Sequence, residues 1–90
     1  VFNDYAAYTT VQFLFEKGKL IPEEISVIGF SGEPISTYMT PKLSTAEDIA
    51  EQMGIETARK LQKIIETGEN SEEKIILKQK LILRETTRNP

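Results

Sequence analysis

Residues 29–33 read Gly-Phe-Ser-Gly-Glu, a serine set among turn-forming residues just after an apolar run. A nucleophile elbow, G-x-S-x-G, would raise that hydroxyl on a sharp strand-to-helix turn, but Glu33 stands where the second glycine belongs. The serine would also need a proton acceptor, and the chain contains no histidine. A phosphate cradle needs Gly-Lys-Ser/Thr or G-x-G-x-x-G leading into a helix, and neither is present. What remains is a turn after a buried strand, with no chemistry of its own. Asn3 and Asp4 are the second constellation, directly behind the apolar pair Val1-Phe2. In parallel α/β sheets, ligands gather at the carboxyl ends of strands, where an aspartate can hold two sugar hydroxyls or a base N–H by charge-assisted hydrogen bonds. The same pair suits a helix cap, and the two roles are compatible.

Nothing else in the chain is arranged for catalysis. The carboxylate pairs Glu23-Glu24, Glu47-Asp48 and Glu72-Glu73 fall on expected surfaces or helix starts, without metal-ligand spacing. Their ordinary role is solvation and helix-dipole complementarity. No catalytic residue, metal or cofactor is therefore expected. Cysteine is absent, which excludes disulfides and permits a reducing compartment. Net charge is −3 over 90 residues, with no like-charge run, so neither nucleic acid nor an anionic membrane finds a surface within these residues. No apolar stretch approaches the roughly 20 residues of a membrane span. A chain this short buries only about 60–65% of its unfolded surface, too little for a deep two-lobed cleft. Without an initiator methionine, it reads as a piece of a longer protein.

The elements that must position these residues follow from periodicity. Asn3-Asp4 cap a helix expected from about Tyr5 to Lys17, with Ala7, Val11 and Leu14 beside Tyr8 and Phe15 on an apolar stripe. Gly18 supplies the left-handed stop. Residues 25–30, Ile-Ser-Val-Ile-Gly-Phe, form a near-continuous apolar strand of the kind covered on both faces in a parallel sheet. Residues 31–45 are expected as loop, broken by Gly32, Pro34 and Pro41. Within it, Tyr38-Met39 either fold back onto the core or meet a partner. Ser44-x-x-Glu47 reads as a capping box starting a second helix that runs to about Glu66 and stops at Gly68. Ile75, Leu77, Leu81 and Leu83 alternate in the tail as short strands. The order is that of an α/β chain with crossover helices.

Three segments together carry a resemblance. NDYAAYTTVQFLFEKGKLIPEEISVIGF resembles the LacI/GalR family of bacterial transcription regulators, whose effector domains carry ND-x-M-A-x-G and then G-x-x-V-P-E-D-I-S-V-V-G-F-D. PKLSTAEDIAEQMGIETARKL is similar to that family's P-P-L-T-T-V-x-Q-P-x-x-x-M-G-x-x-A-x-x-L, and LKQKLILRETT to its closing L-P-x-x-L-V-x-R-x-S-T. Order and spacing match along essentially the whole chain. The resemblance implies part of a three-layer α/β/α domain of the periplasmic-binding-protein-like type I, with a parallel sheet and crossover helices. These residues would be its C-terminal part, 1–45 and 72–90 in one lobe and the helix of 46–71 in the other, with hinge crossings near Thr45 to Asp48 and Gly68 to Ser71.

It also implies roles. The family's ligand-contacting aspartate falls on Asp4, with Asn3 beside it, and a ligand-proximal glutamine position falls on Asp48. The subunit contact falls on Tyr38 and Met39, with Tyr8 joining it. Partners implied are a small effector, sugar or nucleobase, a second identical subunit, and operator DNA through an N-terminal domain these residues lack. The parent would be a cytoplasmic repressor, with no membrane partner and no enzymatic activity. A sugar-binding component of a transporter shares the architecture and is the alternative. Ser31-Gly32 depart from the family's acidic pair, Thr9 from a helix glycine, Ile49 and Lys78 from prolines. None of these changes touches the apolar pattern.

Overall fold

A computed structural model of the chain describes residues 1–69 and 74–88. It forms two compact units, Val1–Asp48 with Lys80–Pro90, and Ile49–Gln79. The chain thus leaves the first unit after Asp48, at the end of the first crossing the resemblance implies, and re-enters it at Lys80. Gly68 lies inside the second unit, and Asn70 and Ser71 of the expected second hinge fall outside the described residues.

In the first unit, helix α1 spans Asp4–Glu16, one residue from the expected bounds at each end. Asn3 is extended and its Oδ1 accepts from the Ala6 amide at 2.8 Å, satisfying one of the orphan donors of the first turn. Gly18 takes the left-handed conformation, φ 73°. The buried stripe is narrower than expected. Ala7 and Val11 are enclosed, joined by Ile21, Val27, Met39 and Leu43, with Leu14 and Ile25 packed against them. Tyr8 and Phe15 remain exposed.

Residues 25–30 are extended, yet only Val27 and Gly29 are buried while Ile28 and Phe30 face out, so one face is covered rather than two. The parallel pairing is a single bridge, Ile28 to Ser44, flanked by Gly29 N donating to Ser44 O and Val27 N to Thr86 O. The loop expected over 31–45 contains a short helix, α2, Ile35–Tyr38, beginning after Pro34. Proline suits such a start because its missing N–H is an orphan there in any case. Strand β1, Thr45–Ala46, then pairs antiparallel with β2, Leu81–Ile82, in the register Thr45 to Ile82 and Ala46 to Leu81.

The capping box is not formed. Helix α3 spans Ala50–Thr67 with no side-chain cap at Ile49. Ser44 is instead fully buried, its Oγ accepting from Arg84 N at 2.7 Å and bonded to Thr87 Oγ1 at 2.7 Å. A serine hydroxyl that can reach a second chain segment satisfies two part-buried groups there, more than a cap on a solvated helix end offers. Arg84 Nη1 donates to Ser36 Oγ and Leu43 O, each at 2.8 Å, so the tail is stitched to residues 36–44 by polar groups.

The second unit is different in kind. Gly68 ends α3 at φ 71° as expected, but none of the helix is buried. Met53, Thr57, Leu61 and Ile64 border an open groove of about 420 Å³ completed by Ile75 and Leu77. Those two tail residues were expected in a strand; 74–80 carry none.

Ser44→Ala should lower stability by about 1–3 kcal/mol, because the Arg84 amide loses its buried acceptor. Urea denaturation monitored by circular dichroism tests this. An unchanged midpoint would count against this role for the Ser44 hydroxyl.

Candidate functional site

The site is built around the first residue of α1. Asp4 is fully buried, and all its carboxylate partners are donors. Oδ1 accepts from Thr45 Oγ1 at 2.7 Å, Phe30 N at 3.1 Å and, more weakly, Ser31 N at 3.4 Å. Oδ2 accepts from Glu33 N at 2.6 Å. Three of the four donors converge on Oδ1 and one reaches Oδ2, so both oxygens are hydrogen-bonded within the chain. The resemblance implies a ligand contact at Asp4. In this structure its carboxylate is enclosed, and it holds the loop 30–33 to the start of α1.

Two further contacts tighten the arrangement. Ser31 Oγ accepts from the Asp4 amide at 3.2 Å, so the serine first weighed as a nucleophile caps the helix. Thr45 Oγ1 both donates to Asp4 and accepts from Gly32 N at 3.2 Å, linking loop and carboxylate through one hydroxyl. Sequence reading missed Thr45, since a threonine beside a serine before a helical period looks like a helix start. Only its buried partner, 41 residues away, reveals its role.

Both glycines of the loop are needed for close approach. A Cβ on Gly29 would overlap Asp4 Oδ1 and come within 2.9 Å of Leu43 Cδ2. Gly32, at φ 62°, sits so near the next segment that a Cβ would lie 2.7 Å from Asp48 N and 2.9 Å from Ala46 O. The turn at Ser31-Gly32 therefore rests on residues 46–48, where the chain is about to leave the first unit. Asn3, Asp4, Ser31 and Asp48 are thus gathered at one end of the extended segment 25–30. Asn3 and Ser31 are half-buried and Asp48 is exposed.

The proposed subunit contact splits. Tyr38 is 82% exposed, whereas Met39 is 5% exposed and belongs to the core. In this chain Met39 packs in the core while Tyr38 stands outside it. Met39 is the C-cap of the short helix α2 and leaves it in an extended conformation. Tyr8 stays partly exposed on α1.

An α/β chain in which a helix start and a strand end meet beside a chain crossing is built like a small-molecule binding domain with the ligand at strand termini. The chain belongs to the periplasmic binding protein-like domain family, which matches residues 1–87, and its relatives are LacI-type regulators. It is 36% identical over 86 residues to a probable HTH-type transcriptional repressor, ExuR, of Bacillus subtilis, covering 96% of this chain and 26% of that protein. A putative LacI transcriptional regulator from Bacillus cereus subsp. cytotoxis is 28% identical with TM-score 0.88, over 99% of this chain and 32% of that one. A periplasmic binding protein/LacI transcriptional regulator from Alkaliphilus metalliredigens, complexed with D-xylulofuranose, is 37% identical with TM-score 0.81, over 99% and 34%. The chain spans about a quarter of the length of the curated relatives it matches.

Gly29→Ala should cost about 1–3 kcal/mol by overpacking against Asp4 and Leu43. Gly18→Ala meets no atom within 4 Å and should cost about 1–2 kcal/mol from its left-handed conformation alone. Chemical denaturation of the two variants separates lost space from backbone strain. Only Gly29→Ala should also speed amide exchange at 30–33.

Proposed function

We propose that the protein carrying this chain is a LacI-type transcription regulator, a sugar-responsive repressor, and that these residues are the C-terminal part of its effector-binding and dimerisation domain. The observation that carries the reading is similarity along nearly the whole chain to a repressor and to a regulator solved with a sugar. The relatives are regulators rather than enzymes, and this chain is read as non-catalytic. No helix among the described residues is long and apolar enough to cross a membrane. The parent is read as cytoplasmic, meeting operator DNA through a separate N-terminal head. The transporter alternative shares the fold, but the relatives that match are regulators.

On this reading the effector meets the edge made by Asn3, Ser31 and Asp48, with Asp4 behind it. Asn3 Oδ1 is committed to Ala6, leaving its amide group to donate outward. Ser31 Oγ accepts from Asp4 N with one lone pair and keeps its O–H and a second lone pair for a ligand. Asp48 supplies the acceptor, in the place of the family's glutamine. An effector that binds one conformation better than another shifts the population toward it, and the paired crossing of β1 and β2 is where such a change passes through the chain. Tyr38, with Tyr8, is assigned to the contact with a second identical subunit.

The test is a thermal-shift screen of neutral and acidic sugars and nucleobases against the full-length protein. One sugar class should raise Tm by about 3–6 °C at 100-fold excess over its Kd. It should also release or strengthen operator binding in a gel-shift assay. Asp48→Ala should weaken that sugar about tenfold, the worth of one modest hydrogen bond to a charged group. Failure of every sugar to shift Tm would sink the effector assignment. Separately, Tyr38→Asp should raise the dimer dissociation constant at least about tenfold in sedimentation equilibrium, as expected for an aromatic contact residue. An unchanged constant would remove Tyr38 from the interface.

A further inference from the structure

We propose that the Asp4 carboxylate is the resident anion of a cradle formed by loop 30–33 and Thr45, and that it serves effector recognition by positioning that loop, without touching the effector. The second half rests on the effector-binding reading above; the first half stands without it.

Three backbone amides, of Phe30, Ser31 and Glu33, converge with the Thr45 hydroxyl on one carboxylate. Successive amides aimed at one point make an anion-binding concavity. Here the anion comes from the chain itself, 26 to 29 residues away in sequence from the amides that hold it. Asp4 has no exposed surface in this chain alone, and any additional chain can only cover it further. A ligand therefore has no path to its oxygens unless the loop opens. The loop carries the half-buried Ser31, and what it presses against is the backbone of residues 46–48. With the carboxylate gone, four donors would be left facing a void, and the segment carrying Ser31 would lose its tie to α1. Thr45 is the second positioning group, because its hydroxyl joins Asp4 to the Gly32 amide.

The experiment is chemical rescue in the full-length protein. Asp4→Ala should lower Tm and weaken the sugar found in the screen at least about tenfold. Formate at about 0.1–0.5 M should raise the Tm of Asp4→Ala by several degrees in a saturable manner, as a ligand specific to the folded state does. Chloride at equal ionic strength should not, and the native protein should show no such response. Formate should also restore sugar affinity in the variant to within about threefold of native. An identical response of native and variant to formate would overturn the cradle. Rescue of Tm without rescue of affinity would overturn the positioning role and make Asp4 a direct contact. Absence of sugar binding to the native protein would count against the effector reading alone and leave the Tm comparison intact. If Asp4→Ala does not fold, Thr45→Val removes one donor with the carboxylate in place. It should speed amide exchange at 30–33 and weaken the sugar several-fold, and unchanged affinity despite faster exchange would overturn the proposal.

Discussion

An acidic side chain taken out of water keeps its charge only if donors replace its hydration, and the first unit is arranged so that they do. Asp4 opens α1, and the groups that solvate it come from the end of the extended segment 25–30, from the turn behind it and from β1. One carboxylate thus fixes three parts of the chain that are distant in sequence. It also forces Gly29, where the carboxylate leaves no room for a Cβ, while Gly32 is required by its left-handed φ and its approach to residues 46–48. Leaving any of these donors unpaired would cost more than the bond itself contributes, which is why such a network specifies one arrangement rather than merely favouring it.

The same logic extends to the tail. Among the described residues the apolar core holds six, too few to fix a topology by packing alone in so short a chain. The buried polar groups Ser36, Ser44, Thr45 and Thr86 do the rest. Thr86 Oγ1 donates to Val27 O and accepts from Ser44 N, so one hydroxyl ties the tail, the extended segment 25–30 and the residues before β1 together. Regular ladders are short here because hydroxyls stand in for ladder partners. Among the described residues, no buried side-chain nitrogen or oxygen lacks a partner.

These bonds explain what the sequence made legible and what it did not. Helix α1, its Asn3 cap and its Gly18 stop depend on neighbours within a turn, and they could be read directly. The end of α3 at Gly68 is of the same kind. Ser44 could not be read, because its local pattern matches a capping box while its actual partners lie 40 and 43 residues away. Thr45 and Asp4 show the same thing in reverse: each has an ordinary local role, and the buried partner it holds is remote. Tyr38 and Met39 were indistinguishable by composition, and only the short α2 places one outside and the other in the core. Gathering Asn3, Asp4, Ser31 and Asp48 at one end of the extended segment was within reach of the family resemblance; deciding which of them a ligand could touch was not.

The departures from the family pattern carry the specific chemistry. A carboxylate in the place of Ser31 would present only acceptors to the space beyond the loop. Serine, with one lone pair accepting from the Asp4 amide, keeps both an O–H donor and a second lone pair, and Gly32 presents nothing but backbone. The acid has not vanished from this edge of the unit, since Asp48 stands exposed where the family pattern has glutamine. Ser31 and Asp48 stand on the two sides of the Gly32 contact with residues 46–48, and the Asp4 cradle ties the Ser31 side to α1. A fold held by buried, hydrogen-bonded polar groups can change exposed side chains without altering what holds it together.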